Sequence, residues 1–349
     1  MKILKLLLVF VPISFIVEFL HFSPVFLFAA ACLSIVPLAG IMGEATEELT
    51  YYAGPRLGGF LNGTFGNATE LIISIFALKA GLFEVVKASI AGSVLGNILL
   101  VLGASMLAGG LKYKIQTFNK NAIGTSTSML FLAVIALSIP AMFTNSIDAD
   151  LVSTRYESFS VGIAVLLLLI YILGLVFSFY THKDLYGTEH PQVAEETKWS
   201  LKKSIIILII ATILIAIESE FLVSSVEPMT KALNLSEFFV GIILIPLIGN
   251  AAEHSTAVIF AIKNRIEVAV EIAVGSSLQI ILFVAPVLIF VSLFFKPMSI
   301  IFNVFELVSL ISSVLIVSKI SNDGESNWFE GVQLIIVYVI IAMGFFILK

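Results

Sequence analysis

Residues 65–81, FGNATELIISIFALKAG, set Asn67 and Glu70 three apart in a stretch otherwise apolar enough to cross a membrane. Residues 248–264, IGNAAEHSTAVIFAIKN, do the same with Asn250 and Glu253. A spacing of three puts both side chains of each pair on one helix face. An ionisable residue at the centre of a span costs roughly 2.5–3.5 kcal/mol on insertion scales, so two in the same setting point to a common wet cavity. Hydrogen bonding between helices by protonated carboxyls is the alternative. Ser93, Asn97, Ser276 and Gln279, which accompany the two copies, weigh against it. Two carboxylates with amide, hydroxyl and main-chain oxygens form an all-oxygen donor set, and a flexible set of six to eight oxygens suits Ca²⁺ better than Mg²⁺. Glu70 and Glu253 are the expected charged ligands. His254, beside Glu253, reads equally as a proton-handling group or as a histidine satisfied by hydrogen bonds. Soft metals need more nitrogen or sulfur ligands than the spans offer.

Charge counting extends this chemistry. Two nearby carboxylates in a poor dielectric cannot comfortably both be ionised without a cation. One divalent ion or two protons would each neutralise them, and competition between the two is the chemistry of a cation/proton antiporter.

The elements that must position these groups are membrane spans. The 349-residue chain is 59% hydrophobic and only 12% charged, with a mean hydropathy of +1.09, whereas soluble domains carry about 25% charged residues. Apolar runs of about 18 residues or more recur along its length, each long enough to cross a ~30 Å hydrocarbon core. The fold class is therefore an all-α integral membrane protein, with the lipid bilayer as its surroundings. A net charge of −5 without a basic cluster gives nucleic acid no footing. Cys32 is the single cysteine, which excludes an internal disulfide and a cysteine-based zinc site. Four histidines without an HExxH motif, and no GxSxG, leave an intramembrane enzyme without its machinery. No resident cofactor is called for.

Hydropathy predicts eleven spans, near 3–20, 24–50, 57–80, 85–109, 122–143, 158–181, 201–224, 237–262, 268–295, 299–318 and 328–348. The first begins like a secretory signal but lacks a small-residue cleavage site, so it reads as a transmembrane helix. The polar stretch 181–203 separates spans 1–6 from spans 7–11 and reads as a solvated connector, with a calcium-sensing or regulatory segment as the alternative. The expected organisation is a leading helix (1–23), a five-helix repeat (24–181), a cytoplasmic linker (182–200) and a second five-helix repeat (201–349). With eleven spans, thirteen Lys and Arg lie on the side of the amino terminus and six on the other, which predicts a cytoplasmic amino terminus and an external carboxyl terminus. The compact chain points to a prokaryotic plasma membrane, and it leaves a homo-oligomer open.

The two motifs belong to a longer repeat. At a constant offset of 183 residues, Gly66, Asn67, Ala68 and Glu70 match Gly249, Asn250, Ala251 and Glu253. In the same register Glu84, Val85, Gly92, Ser93 and Leu95 match Glu267, Val268, Gly275, Ser276 and Leu278. Five spans separate the copies, an odd number, so their topologies are inverted, the usual build of secondary transporters with a site at the midplane. Gly63 and Gly66 before Glu70, and Pro246 and Gly249 before Glu253, predict broken helices with free carbonyls. Gly92 and Gly96 form a GxxxG that permits close helix approach.

GNATELI, GNAAEHSTAVIFAIKN and VEIAVGSSLQIILFVAPVL resemble the two α-repeats of calcium/proton exchangers, the cation exchanger family, and SNDGESNWFEGVQLIIVYVIIA (321–342) resembles that family's last loop and helix. The resemblance implies one leading helix and two inverted five-helix halves. It also implies antiport of cytoplasmic Ca²⁺ against external protons by alternating access. Glu70 and Glu253 would be the central carriers, with Asn97 and Gln279 as polar neighbours. Gln279 separates the chain from sodium/calcium exchangers, which commonly offer another acid there; sodium-coupled calcium exchange is the rival reading. In the family the helices equivalent to spans 2 and 7 gate access. Their acids here, Glu44, Glu47, Glu48, Glu218 and Glu220, read either as a cation-attracting vestibule or as solvated helix ends. Glu84 and Glu267 begin spans 4 and 9, where negative charge favours the helix amino terminus. Glu18 and Glu306 have no matched partners.

Overall fold

Asn67 and Asn250 each close one helix and open the next. The computed structural model describes residues 6–144, 149–182 and 198–348, so residues 183–197 of the linker and Lys349 lie outside the described residues. Helix α1 is Leu7–Phe19, α2 Pro24–Phe65, α3 Ala68–Lys79 and α4 Phe83–Lys112. Then come α5, Lys120–Thr144, and α6, Ala149–Val176, extended by a π turn at Phe177–Thr181. Beyond the linker lie α7, Leu201–Leu233, α8, Glu237–Gly249, and α9, Ala251–Ile262, with a 59° bend between α8 and α9. Helices α10, Ile266–Ser292, α11, Val304–Ile320, and α12, Trp328–Ile347, complete the chain. A two-residue antiparallel pairing, β1 (Gln116–Thr117) with β2 (Glu325–Ser326), ties the loop after α4 to the loop before α12.

By length and composition alone, seven helices among the described residues can cross a membrane, or eight with α8 and α9 taken as one broken span. Several boundaries differ from the hydropathy reading. No loop interrupts 51–56: the backbone stays helical to Phe65, and the break falls at Gly66–Asn67 instead. The described part of α1 has 13 residues, about 20 Å at 1.5 Å per residue, and residues 1–5 before it lie outside the described residues. Helix α11 starts at Val304 rather than 299. There Asn303 accepts the Phe305 N–H at 3.0 Å while Glu306 accepts the Asn303 N–H at 2.6 Å, a reciprocal cap that fixes the start. This gives Glu306 the partner that sequence could not find.

Helices α4 and α10 form the centre. In their most apolar windows 83% and 67% of residues are buried inside the protein, against 28% for the span ending α6 and 17% for α12. The outer helices turn their apolar sides outward, as expected of lipid-facing surface. Each central helix passes through a π segment, Gly96–Val101 in α4 and Ile280–Val284 in α10, at matching places under the 183-residue offset. Such segments recur at functional sites because they re-aim side chains within a helix.

The packing also comes in matched pairs. Helix α3 lies on the second half of α10, and α9 on the second half of α4. Helix α5 lies on the first half of α10, and α11 on the first half of α4. Helices α6 and α12 take corresponding places on the second halves. The most extensive contact of all joins α2 to α7. At Gly92 a Cβ would overlap the Ile242 carbonyl, so only glycine lets α4 seat against α8. At Gly96 nothing lies within 4 Å, so the first glycine of the GxxxG alone bears the close approach.

Candidate functional site

An asparagine at a helix start ordinarily caps its own first turn. Neither Asn67 nor Asn250 does so: no side-chain cap bond forms at α3 or α9. Each side chain reaches across to the other half. Asn67 Nδ2 donates to Gln279 Oε1 at 2.6 Å, and Ser276 Oγ donates to Asn67 Oδ1 at 2.9 Å. Asn250 Nδ2 donates to Ser93 Oγ at 3.3 Å and to the Pro246 carbonyl at 3.2 Å. The pairs Asn67–Ser276 and Asn250–Ser93 are the same contact under the offset, made once from each half.

Glu70 and Glu253 sit in the first turns of α3 and α9, where helix dipoles favour negative charge. Glu70 is 3% exposed; its carboxyl lies against Gly249, where a Cβ would approach Oε1 to 2.8 Å. It stands next to Asn250 and near enough to Glu253 for the two charges to repel. Glu253 stands beside Ser276 and is half-buried. Asn97 Oδ1 meets His254 Nε2 at 3.1 Å. All nine residues read from the sequence as the binding set (Asn67, Glu70, Ser93, Asn97, Asn250, Glu253, His254, Ser276 and Gln279) are thus linked into one centre.

Several buried polar atoms of this centre have no hydrogen-bond partner among the described residues: both oxygens of Glu70, Oε2 of Glu253, Oδ1 of Asn250 and Nδ2 of Asn97. Buried polar groups are almost always satisfied, so these atoms are open to a bound partner. Four of these five atoms are acceptors, a donor set suited to protons or a hard cation. No group of three or more His, Cys, Asp or Glu able to hold a metal occurs among the described residues, so neutral oxygens must complete any cation shell here. Glu70, Asn67 and Asn97 are sealed, whereas Glu253, His254 and Gln279 are half-buried; the centre is less enclosed on the α9 side.

The acids of α2 and α7 do not form one group. Glu220 and Glu47 are exposed and Glu44 is half-buried. Glu48 is buried and accepts the Lys198 and Trp199 N–H groups at 3.3 and 3.2 Å, just before α7. Glu218 is fully buried, with its Oε1 2.6 Å from Ser14 Oγ of α1, so it lines no vestibule. Glu84 pairs with Lys87 at 2.6 Å, and buried Lys87 also donates to the Ile301 carbonyl at 3.0 Å. The sequence reading missed this lysine, although its i,i+3 spacing from Glu84 was visible. It also missed Gln116, which donates to the Ala261 carbonyl and to Asn264 Oδ1, both at 3.0 Å, and so fastens the far end of α9. Nothing in the local sequence signals a contact 145 residues away.

The chain matches the family model described as sodium/calcium exchanger protein over residues 23–180 and 203–347. It is 47% identical over 343 residues to the Ca(2+)/H(+) antiporter ChaA of Bacillus subtilis, covering 97% of both chains. It is 45% identical to the Ca(2+)/H(+) antiporter of Aphanothece halophytica, covering 97% of this chain and 95% of that one. Among solved structures, native YfkE superposes with a TM-score of 0.87 at 44% identity, covering 99% of this chain and 100% of that one.

Proposed function

The chain belongs to the sodium/calcium exchanger protein family, and we propose that within it this protein is a Ca²⁺/H⁺ antiporter working through the Glu70–Glu253 centre. The observation that carries this reading is the set of orphaned acceptors, both Glu70 oxygens, Glu253 Oε2 and Asn250 Oδ1, gathered from the two halves around one point. Ca²⁺ bound there meets two carboxylates and neutral oxygens. Two protons discharge the same carboxylates in its absence. Each state is neutral, so each can be buried, whereas the empty doubly ionised state leaves two like charges facing each other. That penalty makes the exchange obligatory: the ion leaves as protons arrive and returns as they depart.

Asn67 and Asn250 hold the halves together through Ser276 and Ser93, so the centre keeps its composition while access changes around it. His254 holds Asn97 in place. The proposed architecture is eleven transmembrane helices, a leading α1 and two inverted five-helix repeats, with α8 and α9 as one broken span. The paired packing, the paired π segments and the reciprocal Asn–Ser bonds support it. The proposed setting is a bacterial plasma membrane, in keeping with the Bacillus relative, with the amino terminus and the 182–200 linker cytoplasmic.

Calorimetric Ca²⁺ titration across a pH series tests the shared centre. Protons and Ca²⁺ competing for the same carboxylates require affinity to fall as pH is lowered, with a limiting slope of two protons per ion. Affinity that stays flat across the range in which transport responds to pH would refute the competition.

A further inference from the structure

Outside the Glu70–Glu253 centre, α1, α2 and α7 bury another carboxyl. Glu218, midway along α7, has 0% exposure, and Ser14 of α1 and Ser34 of α2, both also at 0%, stand beside it. Ser14 Oγ lies 2.6 Å from Glu218 Oε1 and 2.7 Å from the Val11 carbonyl. A serine hydroxyl carries one hydrogen, so it donates to only one of these two acceptors. The Ser34 hydroxyl is already given to the Ala30 carbonyl at 2.8 Å. Glu218 Oε2 has no partner among the described residues.

An ionised Glu218 takes a hydrogen from Ser14 only if the Val11 carbonyl loses it, and from Ser34 only if the Ala30 carbonyl loses it, so one of the two short Ser14 contacts is then an oxygen–oxygen contact without a hydrogen. A proton on the carboxyl resolves both: Glu218 donates to Ser14 Oγ, and Ser14 donates to the Val11 carbonyl. Among the described residues, no charged group meets the carboxyl. On α1 the acid Glu18 is exposed; on α2 the facing residue is Ser34; on α3, which also packs on α7, Glu70 is turned to Asn250 and Glu253. On α7 itself Glu220 is exposed. A bare carboxylate here would be a buried unpaired charge, among the costliest groups a protein can enclose.

We propose that Glu218 is a separate proton-binding site, formed where α1 closes over the α2–α7 pair, that holds its proton without ligating the transported cation. Its deprotonation releases a hydrated proton and leaves a carboxylate facing α1, so proton occupancy and the seating of α1 are linked. This site stands whether or not exchange at the Glu70–Glu253 centre is proton-driven.

Infrared spectroscopy of the purified full chain in an E70Q/E253Q background, which removes the central carboxyls, reads the site directly. At neutral pH the E218Q difference should show loss of one protonated-carboxyl stretch, and Ca²⁺ should leave that band unchanged. S14A, which keeps Glu218 but removes its partner, should shift the band without abolishing it, and serves even where E218Q folds poorly. No band lost with E218Q, or a band unmoved by S14A, would overturn the assignment.

Discussion

Gly249 is the residue on which Glu70 rests, and adding one methyl there separates site geometry from helix stability. Its φ is not among the positive values, so alanine fits the backbone, and within a helix alanine is favoured over glycine by roughly 0.5–1 kcal/mol. Gly249→Ala should therefore fold. Its Cβ, however, would stand 2.8 Å from Glu70 Oε1 and 3.2 Å from the carboxyl carbon, where ordinary contact begins at 3.4 Å. The carboxyl must retreat by about half an ångström, the tolerance of a functional constellation. Ca²⁺–oxygen distances span only about 2.3–2.6 Å. Weakening one charged ligand is worth about 1.5–3 kcal/mol, or roughly 10- to 150-fold in Kd. Gly275→Ala, beside Ser276 but with nothing within 4 Å of its Cβ, is the matched control and should bind within about twofold of wild type. Calorimetric Kd values with melting curves decide it. Wild-type affinity in folded Gly249→Ala would refute the placement of Glu70 against Gly249.

Glu70→Gln or Glu253→Gln should each abolish proton-driven Ca²⁺ flux while leaving a monodisperse, folded protein; full flux from either purified variant would remove it from the centre. Gln279→Asp adds a third negative charge, sets a carboxylate one methylene shorter opposite Asn67 Nδ2 in place of the amide oxygen that accepts from it, and favours cation occupancy. The pH for half-maximal Ca²⁺ release should then move downward, and an upward move or none would contradict the electrostatics. In a Cys32→Ser background, a cysteine at 349 should be labelled from outside and one at 192 should not. The reverse pattern rejects the proposed orientation, and labelling of both rejects the span count.

The grouping of the polar residues of the two motifs was legible because rare polar residues recur in one register within apolar segments, and the physics that makes them rare also makes them informative. The break at Asn250 was legible from Pro246 and Gly249. So was the break at Asn67, from Gly63 and Gly66. The unbroken helix before it was not: Gly54–Pro55 has the look of a loop, yet the backbone stays helical to Phe65, so local propensity yielded to packing of α2 along α7. The acids of α2 and α7 looked alike in sequence but diverge in space. Glu220 is exposed, Glu48 holds backbone N–H groups before α7, and Glu218 is enclosed by serines from two other helices. Those fates depend on partners up to 204 residues away, which periodicity cannot reveal.

The most direct test of proton-coupled calcium exchange is uptake of radiolabelled Ca²⁺ into proteoliposomes under separately imposed proton and sodium gradients. A proton gradient alone, outwardly directed from the vesicle lumen, should drive accumulation that collapses with a protonophore and is absent in Glu253→Gln. Accumulation driven by a sodium gradient at uniform pH, with none from the proton gradient, would contradict it.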